Sequence, residues 1–238
     1  MSSWEAAKRR MYDVFGHVPR PEHADGCSHC VAPGEDRPLL AGPVGSIEAA
    51  ALARYAAKAL NTWGGVAEFR YFLPRLLECA AADDFGYPDP EIVFGKLASA
   101  DWRVWPEEER DAVAGFLGEW WHETLRRHPV RPSIDTVVCA LAATGMDLAP
   151  CLEIWSRLDT DAAINHLHDF VLTGLSGKRL TNAFWDRHSP AYQQTLTWLT
   201  GGPAAAAVEA AFAAQTREPL LELLAEIHPA LLPPHGDG

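Results

Sequence analysis

The sequence is short of the features that define several large protein classes. Its five cysteines are an odd number in 238 residues, which argues against the paired-cysteine framework that holds small secreted domains together. Lys and Arg are outnumbered, 20 against 32 Asp and Glu, leaving a formal net charge of -12. That deficit disfavours nucleic acid as the main partner, because such binding is driven largely by neutralising phosphates with Lys and Arg. No apolar run approaches the ~20 residues of a membrane span, so no membrane partner is expected. The opening MSSWEAAKRRMYDVFG carries basic residues without an apolar stretch behind them; with no signal peptide to read, the expected location is the cytoplasm. β-Branched residues are scarce as well. The 13 Val, 6 Ile and 11 Thr stand against 38 Ala and 26 Leu, a balance that favours helices over strands. At 48% hydrophobic residues the chain can still build a core, and its length allows one large domain or two small ones.

What is present has helical spacing. Trp4, Ala7, Met11, Val14 and Phe15 form one face, with Ser2 or Ser3 as cap and Gly16 as stop. A Pro/Gly-rich loop at 17–45 follows. Ser46 is expected to cap a second helix whose Ile47, Ala51, Tyr55, Ala59 and Leu52, Ala56, Leu60 form two adjacent buried ridges, and a third is predicted at 66–81 around Phe69, Phe72, Leu73, Leu76, Leu77 and Ala80, kinked at Pro74 in its middle. Further helices are predicted at 90–98, 106–127, 133–144, 149–158, 160–173, 189–200, 203–215 and 217–228. No segment alternates with the two-residue period of a strand. The expectation is an all-α fold of about eleven helices, arranged as an irregular antiparallel array or as a HEAT-like α-solenoid. It comprises an N-terminal helix and loop at 1–45, a helical domain at 46–228 and a flexible tail at 229–238, in one continuous fold.

Two resemblances rest on particular residues. Pro74 in Leu73-Pro74-Arg75-Leu76-Leu77-Glu78, followed by the turn Pro88-Asp89-Pro90-Glu91, is similar to the kinked first helix and Asp-Pro turn of HEAT-like repeats over residues 64–98. Over 27–78, Cys27-x-x-Cys30 in its Pro/Gly loop, then Thr62-Trp63-Gly64 and the run from Phe72 to Glu78, resembles a bacterial helical family with no assigned activity. That resemblance implies no function.

The metal-like spacing in the chain is His23-x3-Cys27-x2-Cys30. Two thiolates and an imidazole suit zinc, with His17 or His29 as candidates for a fourth ligand; water in that position would leave an open, enzymatic site. The same cysteines also suit a reversible disulfide or redox-sensing pair, or two free thiols in an ordered loop. Complete catalytic signatures are lacking. His122-Glu123 has Arg126 where a zincin needs its second His, and Gly177-Lys178 has Leu172 and Arg179 where a phosphate loop needs Gly and Ser or Thr.

On the helix at 160–173, His168 falls on the expected apolar stripe as a buried core histidine, while His166 and Asp169 fall on the polar side. Basic clusters interrupt the acidic background at Lys8-Arg9-Arg10, at Arg126, Arg127, His128 and Arg131, and at Lys178, Arg179 and Arg187. Convergence of the last two would make a partner surface, with Trp185 as its aromatic anchor. These features together point to a helical module that binds another protein. A zinc-dependent enzyme at His23, Cys27 and Cys30 and a thiol redox sensor at Cys27 and Cys30 are the alternatives.

Overall fold

The structure is a computed structural model and describes residues 1–24, 26–27 and 29–232. It is all-α: eleven α-helices, with strand confined, among the described residues, to a hairpin pairing Leu175–Ser176 with Arg179–Leu180. The chain divides into two compact units, Met1–Trp120 and Trp121–Gly238. The division falls inside a helix, and the 17–45 loop belongs to the first unit. No helix of the described residues is long and apolar enough to cross a membrane.

The first unit contains α1 (Ser3–Phe15), α2 (Ala49–Lys58), α3 (Val66–Ala81), α4 (Pro90–Ser99) and the greater part of α5 (Glu107–Arg126). Helix α3 is its centre, because α1, α2 and α4 all pack against it. Phe69, Phe72, Leu73, Leu76 and Leu77 are fully buried, which removes most of the apolar surface of α3 from water. Glu68 starts α3 by accepting from the Gly65 N–H at 2.8 Å. The polar end of the Phe72-to-Glu78 run ties the helices together. Glu78 Oε2 accepts from the Tyr12 hydroxyl at 2.5 Å and from Arg75 Nη1 at 2.9 Å, while Arg75 Nε donates to Ile47 O at 2.9 Å. A buried carboxylate, Glu109 at 1% exposure, is held by a two-pronged ion pair with Arg70. Ser46 does not cap α2. Its hydroxyl donates to Pro43 O at 2.8 Å within a 3₁₀ turn at Val44–Ser46, so α2 starts only at Ala49.

The second unit holds the last turn of α5, then α6 (Ile134–Ala143), α7 (Ala149–Trp155), α8 (Asp161–Asp169), α9 (Pro190–Thr200), α10 (Pro203–Ala214) and α11 (Glu218–Leu231). Side-chain oxygens of Ser133, Thr160 and Ser189 cap α6, α8 and α9. Trp155 is fully buried at the core, stacked on Trp198 with ring centroids 5.1 Å apart and meeting Trp121 and Phe170 edge-on. Three boundaries differ from expectation. Helix α7 ends at Trp155 because Leu158 takes a left-handed φ of 45°. The α-helical pattern of 160–173 stops at Asp169, and Phe170–Gly174 widen into π turns that lead to the hairpin. Helix α11 continues to Leu231, into the expected tail; the rest of that tail, 233–238, lies outside the described residues.

Candidate functional site

The cysteine loop is fastened from below by its main chain. Cys27 N–H donates to Thr62 O at 2.8 Å, and Trp63 Nε1 donates to Ala24 O at 2.8 Å. Trp63 itself is buried, with its ring edge-on to Tyr55 at 5.5 Å. Thr62-Trp63-Gly64 is therefore the clasp of the Cys27-x-x-Cys30 loop. Gly26 is required at the clasp, since a Cβ there would meet Val31 Cγ2 at 2.5 Å and Thr62 O at 3.1 Å. On the other side, Cys30 O accepts from Arg54 Nη2 at 3.0 Å and from Lys58 Nζ, both on α2.

Within this frame Cys27 begins a tight turn: its carbonyl accepts from the amides of Cys30 at 2.8 Å and Val31 at 2.9 Å. Its side chain is exposed, that of Cys30 half-buried, and both thiols are free. The Cys27 pKa is lowered from the ordinary 9.0, first by the His29 backbone N–H, then by the Cys30 thiol and the Cys30 N–H, with Lys58 adding a smaller pull. These donors favour the thiolate, the reactive form of cysteine. The other cysteines are buried. Desolvation pushes Cys79 up to about 11 and Cys151 up to about 12, so they stay protonated at neutral pH. A hollow of about 270 Å³ lined by His23, Ala24, Gly26, Val31 and Asp36 adjoins the loop.

The other residues named for a zinc site do not join the cysteines. Ala24 is turned inward with its N–H on Asp36 Oδ2, which leaves His23 largely in solvent, 3.7 Å from that carboxylate. His17 points to Val14 O at 2.7 Å and to Glu109 at 3.3 Å, and His29 is exposed. Among the described residues, no three of His17, His23, Cys27, His29 and Cys30 come within metal-binding reach of one another.

One group of three does, and it lies in the second unit: His128, His166 and Asp169, each with a donor atom within 4.8 Å of the others. Ile164, Leu167 and Val171 are buried as expected, but the two histidines of α8 exchange their expected places. His166 is 2% exposed, on a stripe with Ala162, Ala163, Leu167 and Phe170, whereas His168 lies nearer the surface and bonds Glu226 at 2.9 Å. Burial lowers the His166 pKa below the ordinary 6.5, against the raising effect of its hydrogen bond to Arg127 O.

Arg127 pairs with Glu123 at 2.7 Å, and Arg126 and Arg131 are exposed. Lys178, Arg179 and Arg187 instead share a concave surface of about 650 Å³ with Ser176 and Thr181. Trp185 is buried against Tyr192 and displays no anchor there; the exposed aromatic of that segment is Phe184. Comparison of the chain with family models, curated proteins and solved structures gives no match. The two sites therefore carry the functional argument by their chemistry alone.

Proposed function

We propose that the protein is a helical scaffold whose Cys27 and Cys30 act as a dithiol redox switch. The observation that carries this is the pair of free thiols, exposed Cys27 and half-buried Cys30, at the two ends of one turn that the Cys30 amide closes by donating to Cys27 O at 2.8 Å. In the reaction, the Cys27 thiolate attacks one sulfur of a disulfide RS–SR, forms a mixed disulfide and expels RS⁻. The Cys30 thiolate then attacks Cys27 Sγ and expels the second RS⁻. The protein loses two electrons and two protons, and the disulfide becomes two thiols. Because Cys30 O is bonded to Arg54 and Lys58 and Cys27 N–H to Thr62, closing the pair acts directly on α2 and on the turn that follows it. The test is to expose Cys30→Ser protein to oxidised glutathione and identify the adduct by mass spectrometry. The mixed disulfide is expected on Cys27; a chain that forms none there, or forms it first on another cysteine, contradicts the reading.

A second reading, binding of another protein, is favoured by the basic hollow at Lys178, Arg179 and Arg187, which no carboxylate lines. It predicts salt-sensitive association with acidic segments, abolished in an Arg179→Glu/Arg187→Glu variant.

A further inference from the structure

We infer that His128, His166 and Asp169 bind a divalent transition-metal ion of the zinc type, at a site separate from the cysteine loop. His166 and Asp169 stand three residues apart on α8, hence on one face of it, and His128 comes from the segment directly after α5. The decisive residue is His166. Its Nε2 lies 2.6 Å from Arg127 O and 2.9 Å from Thr124 O. A carbonyl only accepts, so Nε2 carries the proton and the imidazole lone pair sits on Nδ1. That Nδ1 is buried and has no hydrogen-bond partner. A buried acceptor left unpaired is destabilising, and a metal ion is the partner that a neutral imidazole nitrogen takes most readily. Backbone carbonyls holding the far N–H are also the usual outer support of a ligating histidine, since they set its tautomer and its orientation.

The remaining donors complete the set. His128 Nε2 lies 2.8 Å from Asp169 Oδ2, and the two side chains are 24% and 49% exposed, which gives an ion a way in from solvent. Tetrahedral zinc at ~2.1 Å from each donor spaces its ligands roughly 3.4 Å apart. The His128–Asp169 pair opens toward that spacing and the widest pair, within 4.8 Å, closes toward it, by rotation of the two exposed side chains. When the ion enters, it takes the place of any proton shared between His128 Nε2 and Asp169 Oδ2. Two imidazoles and one carboxylate suit zinc and its neighbours and not the all-oxygen preferences of calcium or magnesium. Three protein ligands leave the fourth position to water, the arrangement of an open site.

The test takes full-length protein stripped with a chelator and titrates it with Zn²⁺ against a chromophoric zinc indicator, with Co²⁺ as a spectroscopic probe. One Zn²⁺ per chain is expected, together with Co²⁺ bands of a four-coordinate site that lack thiolate charge transfer. Asp169→Asn and His128→Gln, both at exposed positions, should each weaken binding by at least ~10-fold with helicity unchanged, and His166→Gln by more. Cys27→Ser/Cys30→Ser should bind as the wild type does. Absence of binding, equal affinity in the Asp169→Asn and His128→Gln variants, or loss of the ion in the double cysteine variant with thiolate charge transfer in the parent, overturns the assignment.

Discussion

The two units place reactive groups in opposite ways. In the first, the Cys27 and Cys30 site is made within four residues by a main-chain turn, with Cys27 exposed to solvent. In the second, His128 and Asp169 are 41 residues apart, and the set depends on the rotational phase of α8 and on a buried imidazole. A site built from local main chain is governed by whatever clasps the loop. One built from distant side chains is governed by helix packing, and it carries an unpaired nitrogen as the consequence.

The largest expected effect tests the clasp. Trp63→Ala should lower stability by about 3–5 kcal/mol in urea unfolding and return Cys27 reactivity toward that of an ordinary thiol, because the Trp63 bond to Ala24 O is lost. Unchanged Cys27 reactivity in a folded variant would mean that the turn forms without its clasp. Next, Arg70→Met leaves Glu109 buried without its guanidinium, and should destabilise by about 3 kcal/mol, while metal uptake in the second unit remains intact. Loss of metal uptake would show that the metal site depends on the fold of the first unit.

A smaller effect comes from pH. The folded His166 binds a proton less readily than the unfolded chain does, because burial holds its pKa below 6.5. Its contribution to stability is therefore fully present above about pH 6.5 and is lost as pH falls through the lower folded value, at no more than about 1.4 kcal/mol per pH unit. Unfolding of metal-free protein between pH 8 and 5 should show this limb, and His166→Gln should flatten it. The smallest effect is at Lys58, the weakest of the influences that favour the Cys27 thiolate. Lys58→Met should move the pH profile of Cys27 alkylation upward only slightly, with Cys79 and Cys151, at about 11 and about 12, unlabelled at neutral pH. A large shift would make the lysine, and not the backbone, the main stabiliser of the thiolate.

The same contrast explains how much was legible in the sequence. The helices follow from apolar periodicity, and α3 runs from Val66 to Ala81 as predicted because its inward residues recur without interruption. The cysteine pair was visible because its chemistry lies within one four-residue motif. The spacing that joins His23 to the cysteines does not reveal that Ala24 turns inward and leaves His23 beside Asp36. His166 was missed for a related reason. The buried Ala162, Ala163 and Phe170 place His166 inward, but they are outweighed in the pattern by Ile164, Leu167 and Val171, also buried, and by Leu172, which is exposed. The hairpin at 175–180 was invisible because two-residue strands have no alternation to detect. Trp185 shows that a tryptophan beside basic residues can be core: its ring packs on Tyr192.

The central claim, a dithiol switch at Cys27 and Cys30, is tested most directly by equilibrating the protein in glutathione buffers from reducing to oxidising, trapping free thiols and counting them by mass. The account predicts a single two-electron transition that removes two of the five thiols and leaves a Cys27–Cys30 disulfide, absent in Cys27→Ser. Five free thiols throughout the series, or a disulfide that involves Cys79, Cys139 or Cys151, would contradict it.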